Sequence, residues 1–305
     1  MAYTVNTGNN ILDLFQAAES VLTRAGWGEI PLAKDQNQIT DAAIFVGSGG
    51  GNDKIYIYLS CHDVDGSTIN KLLLDSSVGY DPLLGAFEQP GSLQQWLKAT
   101  GKEQSDIPTL SLSTNERFAY WVFVDNYRII IIARMSIMYE SMYLGFLNPI
   151  ASERQYPYPM YMCGNSHFKE QDWPNNKTGS FVFPTDGSGW LRRADGVWRK
   201  FKADKPNPSA STDGTVFPYN SHNKKLIPNY KEIDSVNQDN FLLIPIMIQT
   251  NNPVDINGLL RGCYWVSGTR DIDSERLLSY NGEQYIVFDT KEDRGANTYF
   301  AIKMV

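Results

Sequence analysis

"RFAYWVFVDNYRIIIIARMSIMYESMYLGFLNP", residues 117–149, decides how the rest of the chain is read. Two runs rich in aromatic and β-branched residues flank Asp125 and Asn126, which tolerate the left-handed backbone a tight turn requires. A β-hairpin is therefore predicted. Ile129, Ile130, Ile131 and Ile132 are apolar on both faces of such a strand, which places it at the centre of a sheet covered on both sides. The run is no membrane span, because Arg134 and Glu140 interrupt it before the roughly 18–20 apolar residues a bilayer needs. Further on, Met135, Met138, Tyr139, Met142, Tyr143 and Phe146 recur every three or four residues. A short helix or turn there would gather them on one face, as ordinary core or as a subunit interface, where Tyr and Met are common.

Outward from this stretch the chain reads as one helix followed by many short strands. Ile11, Leu14, Phe15, Ala18, Leu22 and Ala25 follow the helical period, predicting a helix over about residues 10–25, capped by Asn9 or Asn10 and packed on a sheet. The period then changes to two. "AAIFV" and "KIYIYLSC" flank a glycine-rich hairpin tip at 47–53, and "GWLRRADGVWRKF" turns at Asp195 and Gly196. "NFLLIPIMIQ", "LLRGCYWVSG" and "TYFAIKM" read as strands, and "RLLSYNGEQYIVF" turns at Asn281 and Gly282, the strongest short-range hairpin signal. "YPYPMYMCG", with prolines at 157 and 159, is expected to run extended over another surface. The long Pro-, Asn- and Ser-rich segment at 203–229 is read as an interaction arm, because Val216, Phe217, Tyr219 and Ile227 give it apolar contacts to make. The expected fold class is α+β, mostly β: an N-terminal helix packed on antiparallel sheets, hairpin-rich, with long irregular loops. Residues 1–115 and 116–305 are the two expected regions, as separate domains or as one.

Composition narrows the function. Of 305 residues 42% are hydrophobic, 12% aromatic and 20% charged, with a net charge of −7, which suits a folded β-rich protein and speaks against nucleic acid as the main partner. Arg192, Arg193, Arg199 and Lys200 are read as a solvated strand face. Cys61, Cys163 and Cys263 are few and odd in number, as buried thiols in a reducing cytosol would be, and the opening residues show no secretory signal. The glycines at 47–51 lack the Lys and Ser/Thr of a phosphate loop. His62, His167 and His222 stand alone, and neither "HDVDGS" nor "DIDSE" completes a calcium loop. Cys163 and His167 have no orienting partner nearby in sequence. These patterns give no catalytic, cofactor or metal site. Seven Trp and seventeen Tyr could instead stack on sugar rings, which keeps a carbohydrate-binding module as the rival class.

"YRIIIIARMSIMYESMYLGFLNPIASERQYPYPMYMCG" and the closing "LLRGCYWVSGTRDIDSERLLSYNGEQYIVFDTKEDRGANTYFAIKM" resemble a family of virion structural proteins of contractile-tailed bacteriophages. "IFVGSGGGNDKIYIYL" and "GYDPLLGAFEQPGS" extend the likeness over most of the chain, while Lys291, Glu292 and Asp293 depart from the aromatic residue and Arg expected there. The resemblance implies a non-enzymatic part of the tail, with the neck or collar favoured and a baseplate or receptor/carbohydrate-binding component as the alternative. It implies a homo-oligomeric ring, a hexamer, touching sheath, tube or head-to-tail connector, with no membrane and no sequence-specific nucleic acid. Location in the virion, after synthesis in the host bacterial cytoplasm, follows from it. The interface residues expected on this reading are Met138, Tyr139, Met142, Tyr143, Phe146, Tyr156, Tyr158, Phe217 and Tyr219.

Overall fold

The computed structural model describes residues 1–31, 41–50, 53–63, 69–85, 88–101, 107–113, 116–150, 158–165, 180–182, 189–201, 214–219, 242–251, 254–267, 272–289 and 298–304. In chain order these form β1 (Ala2–Gly8), α1 (Ile11–Arg24), β2 (Gly28–Ile30), β3 (Asp41–Gly50), β4 (Asp53–Asp63), β5 (Ile69–Ser77), α2 (Leu93–Ala99), β6 (Thr109–Ser113), β7 (Phe118–Val124), β8 (Arg128–Met135) and β9 (Met138–Phe146). They continue as β10 (Met160–Cys163), β11 (Gly189–Arg192), β12 (Trp198–Phe201), β13 (Gly214–Phe217), β14 (Leu243–Asn251), β15 (Val254–Ser267), β16 (Leu277–Tyr280), β17 (Glu283–Asp289) and β18 (Thr298–Lys303). The fold is mostly β with few helices, as expected.

The described residues form three antiparallel sheets. The seven-stranded one runs β1-β7-β8-β9-β10-β11-β12, the six-stranded one β13-β14-β15-β18-β17-β16, and the five-stranded one β2-β3-β4-β5-β6. The seven-stranded sheet is the middle layer, and β8 shows why. Ile129 and Ile131 join a core with α1 and the five-stranded sheet, whereas Ile130 and Ile132 join a second core with the six-stranded sheet. Each isoleucine so buried contributes about 1.5–3 kcal/mol, which neither face of β8 could collect if it met water. The first core draws on residues from Ile11 to Trp198 and so crosses position 115, and β1 pairs with β7 across the same boundary.

Helix α1 begins at a capping box: Asn10 Oδ1 accepts the Asp13 N–H at 2.9 Å, and Asp13 Oδ2 accepts the Asn10 N–H at 3.4 Å. Its buried face is Ile11, Leu14, Phe15, Ala18, Val21 and Leu22. The Asn281–Gly282 turn is left-handed at both residues, with φ of 50° and 79°. The Asp125–Asn126 turn differs from expectation. Neither residue has positive φ; Asp125 Oδ1 instead accepts the N–H groups of Tyr127 at 2.8 Å and Arg128 at 3.1 Å, a side-chain turn that needs no left-handed backbone. Two further expectations change. Residues 160–163 do not drape over a surface; they form β10, hydrogen-bonded between β9 and β11, while 151–157 lie outside the described residues. Of the expected arm at 203–229, residues 214–219 are described. They begin with β13, which pairs with β14 as a sheet strand, Val216 opposite Ile248.

Candidate functional site

The expected interface residues fall mostly inside the chain. Because 138–146 is a strand, its side chains alternate: Met142 and Phe146 enter the first core, Tyr139 and Tyr143 the second. The single Met/Tyr face is therefore replaced by two opposed core contributions. Tyr158 is buried beside Phe146, ring centroids 5.8 Å apart, and its N–H donates to Asp53 Oδ2 at 3.2 Å. Tyr219 is buried and its hydroxyl donates to the Tyr299 carbonyl at 3.0 Å; Phe217 and Met138 are half-buried, and Tyr156 lies outside the described residues. Removing Phe217 and Tyr219 together thus attacks this chain's own core rather than a contact with neighbours. Tyr219→Phe is expected to cost about 1 kcal/mol, the net value of one hydrogen bond, read as a shift in urea midpoint.

Charged groups inside the fold serve as fasteners. Arg128, fully buried at the end of β8, has its Nε 3.4 Å from Asp125 Oδ2, near enough for an ion pair but not aligned for a hydrogen bond. Around it, the Tyr143 hydroxyl donates to the Phe146 carbonyl at 3.1 Å and accepts the Arg261 N–H at 3.3 Å. Arg261 stacks 3.8 Å above the Tyr127 ring. Burial drives the Tyr143 hydroxyl far up and the Cys263 thiol up to about 12, so neither is a nucleophile near neutrality. Glu140 ties two sheets together: its Oε2 accepts the Ser111 N–H of β6 at 2.8 Å, and its Oε1 accepts Asn165 Nδ2 at 3.1 Å. All three cysteines are buried and in no disulfide.

One cleft on the outer face of the five-stranded sheet holds a titratable group. It is lined by Ile44, Tyr56, Tyr58, Asp75, Ser76, Ser77, Tyr80, Gln89 and Ser92. Its empty volume, open solvent included, is about 230 Å³, and a water-sized sphere can place its centre in about 10 Å³ of it, room for about one water. Asp75 is buried at its floor. Burial pushes its carboxyl up to about 7, against the N–H groups of Ser76, Gln94 and Leu93 that favour the anion. Gln89 fixes the wall: its Nε2 donates to the carbonyls of Asp81, Leu84 and Gly85, each at 3.1 Å, and its Oε1 accepts the Asp81 N–H at 2.7 Å. Asp75 and Arg128 were missed by motif reasoning. The signal available was each residue's position, a lone charge inside or abutting an apolar strand ("KLLLDSS", "YRIIII").

Met1, Tyr3 and Val5, on or beside β1, and Leu277 and Tyr280 of β16 are exposed on edge strands of two different sheets. Among the described residues no group of three or more His, Cys, Asp or Glu could hold a metal, and no helix is long and apolar enough to cross a membrane. In comparisons with known proteins, no family model and no curated sequence matches the chain.

Proposed function

We propose that this chain is a non-enzymatic structural subunit of a contractile-tailed bacteriophage virion, assembling with copies of itself into a sixfold ring at the collar that joins sheath and tube to the head. The resemblance of residues 127–164 and 259–304 supports this reading. The observation that carries it is the contrast between a closed interior and open sheet edges: the largest side chains point into the cores, Arg128 and Glu140 are paired inside, and the edge strands β1 and β16 carry exposed apolar residues. Such a molecule acts by shape, and closed homo-oligomers are the common way to use such a surface.

Peptide mapping and electron microscopy of purified virions test it. The chain is expected in the particles at the copy number of a ring, and its absence from them would refute the proposal. The alternative, a carbohydrate-binding baseplate component, is checked on a glycan array. A blank array is expected on the collar reading; specific binding would displace it.

A further inference from the structure

The cleft over Asp75 has an aromatic wall and an acidic floor. Tyr58 and Tyr56 stand opposite Asp75 and Ser77 in the pairing of β4 with β5, and the Tyr80 ring stacks on Tyr56 with centroids 6.0 Å apart. Asp75 is buried, yet among the described residues no lysine or arginine lines the cleft or pairs with its carboxyl. Buried charges ordinarily have such a partner. Asp75 Oδ2 has capacity left, since its contact among the described residues, the Gln94 N–H, is 3.5 Å away.

Three side chains that could donate into the cleft give their protons elsewhere. The Ser77 hydroxyl donates to the Gly79 carbonyl at 2.8 Å, the Ser76 hydroxyl to Met160 Sδ at 2.8 Å, and the Gln89 amide to the carbonyls of Asp81, Leu84 and Gly85. With the carboxylate beside them, these groups leave the lining rich in acceptors. The space suits a slender chain with a small head: a water-sized sphere finds about 10 Å³ for its centre, and Tyr56 and Tyr80, the half-buried members of the lining, mark where the cleft meets solvent.

We infer that the cleft binds a protonated primary amine, with the ammonium head on Asp75 and the alkyl stem along the tyrosine wall. An ammonium group is about the size of a water molecule, brings three donors to these acceptors and is drawn to aromatic rings. A lysine side chain of a neighbouring protein and a free alkylamine share this chemistry, and neither requires the collar. Binding needs the Asp75 anion, which burial disfavours below about pH 7, so affinity rises with pH through that value. The titratable and charged groups about Asp75 are the phenols of Tyr56, Tyr58 and Tyr80, Asp81 turned to the Leu83 N–H at 2.9 Å, Glu88 paired with Lys98 of α2, Lys71 four residues back on β5, and Arg192 beside Gly91. None is a histidine, the side chain that ordinarily titrates near neutrality.

Calorimetric titration of the full chain with n-butylammonium chloride, against sodium chloride and tetraethylammonium chloride at equal ionic strength, tests this. Butylammonium is expected to bind at pH 8, more weakly at pH 5.5, and to raise the urea midpoint at pH 8 beyond either control. Asp75→Asn should lower the affinity roughly tenfold or more, the worth of a charge-assisted hydrogen bond, and Tyr80→Ala should lower it with the circular dichroism unchanged. If Asp75→Asn fails to fold, the wild type decides: binding at pH 6.5 must expel the carboxyl proton, seen as a heat that changes with the buffer. Nα-acetyl-lysine methylamide that binds as butylammonium does would assign the amine to a lysine side chain; its exclusion while butylammonium binds would assign it to a free amine. Controls that act as well as butylammonium, an undiminished affinity in Asp75→Asn, or binding without proton release would overturn the inference.

Discussion

Asp125→Ala is expected to destabilise the protein by about 3–5 kcal/mol, the cost of leaving a buried charge without its partner. Arg128 is wholly out of water, its three guanidinium nitrogens find no hydrogen-bond acceptor among the described residues, and the Asp125 carboxylate at 3.4 Å is its counter-charge. The same substitution removes the acceptor of the Tyr127 and Arg128 N–H groups and so loosens the turn. Arg128→Met should be far milder, because a thioether of similar length fills the space without a charge to solvate. The double variant should recover most of the loss. Urea unfolding of the three variants checks this. An Asp125→Ala protein within about 1 kcal/mol of wild type would mean that the guanidinium reaches water, against the burial argument.

The second large effect is a loss of stability with rising pH. The Asp75 carboxyl titrates near 7 in the folded chain because burial penalises its anion, whereas an unfolded Asp titrates at about 3.9. Between those values the folded chain holds the extra proton, so stability falls as pH rises from about 4 to 7 and is lowest above 7. The full shift corresponds to at most about 4 kcal/mol. Asp75→Asn keeps an oxygen acceptor for the Ser76 N–H, donated at 2.7 Å, and cannot ionise. It is expected to be more stable than wild type at pH 8 and to show a flatter profile between pH 5.5 and 8, measured as urea midpoints at the two ends. A wild type equally stable at both would show that Asp75 carries its charge throughout.

What could be read in advance, and what could not, divides along physical lines at particular residues. Helix α1 was legible because one face is wet: its apolar residues recur at three and four, and Asn10 marks the start. The Asn281–Gly282 turn was legible because its chemistry is local. Residues 138–146 were not. A strand buried on both faces has no polar residues at alternate positions to display its period, so Met138, Met142 and Phe146 could be aligned on a helix that does not form.

Amino-acid order alone determined the elements that end at water or turn on local chemistry, and through the doubly apolar Ile129–Ile132 it determined that some sheet had to be a middle layer. Only the tertiary structure decided which side chains share a core, that Asp75 and Arg128 are buried, that Tyr219 belongs to this chain's interior, and that β1 and β16 are sheet edges. The reason is that local periodicity is set within a few residues, whereas burial and neighbourhood depend on which distant strands come to lie above and beside them.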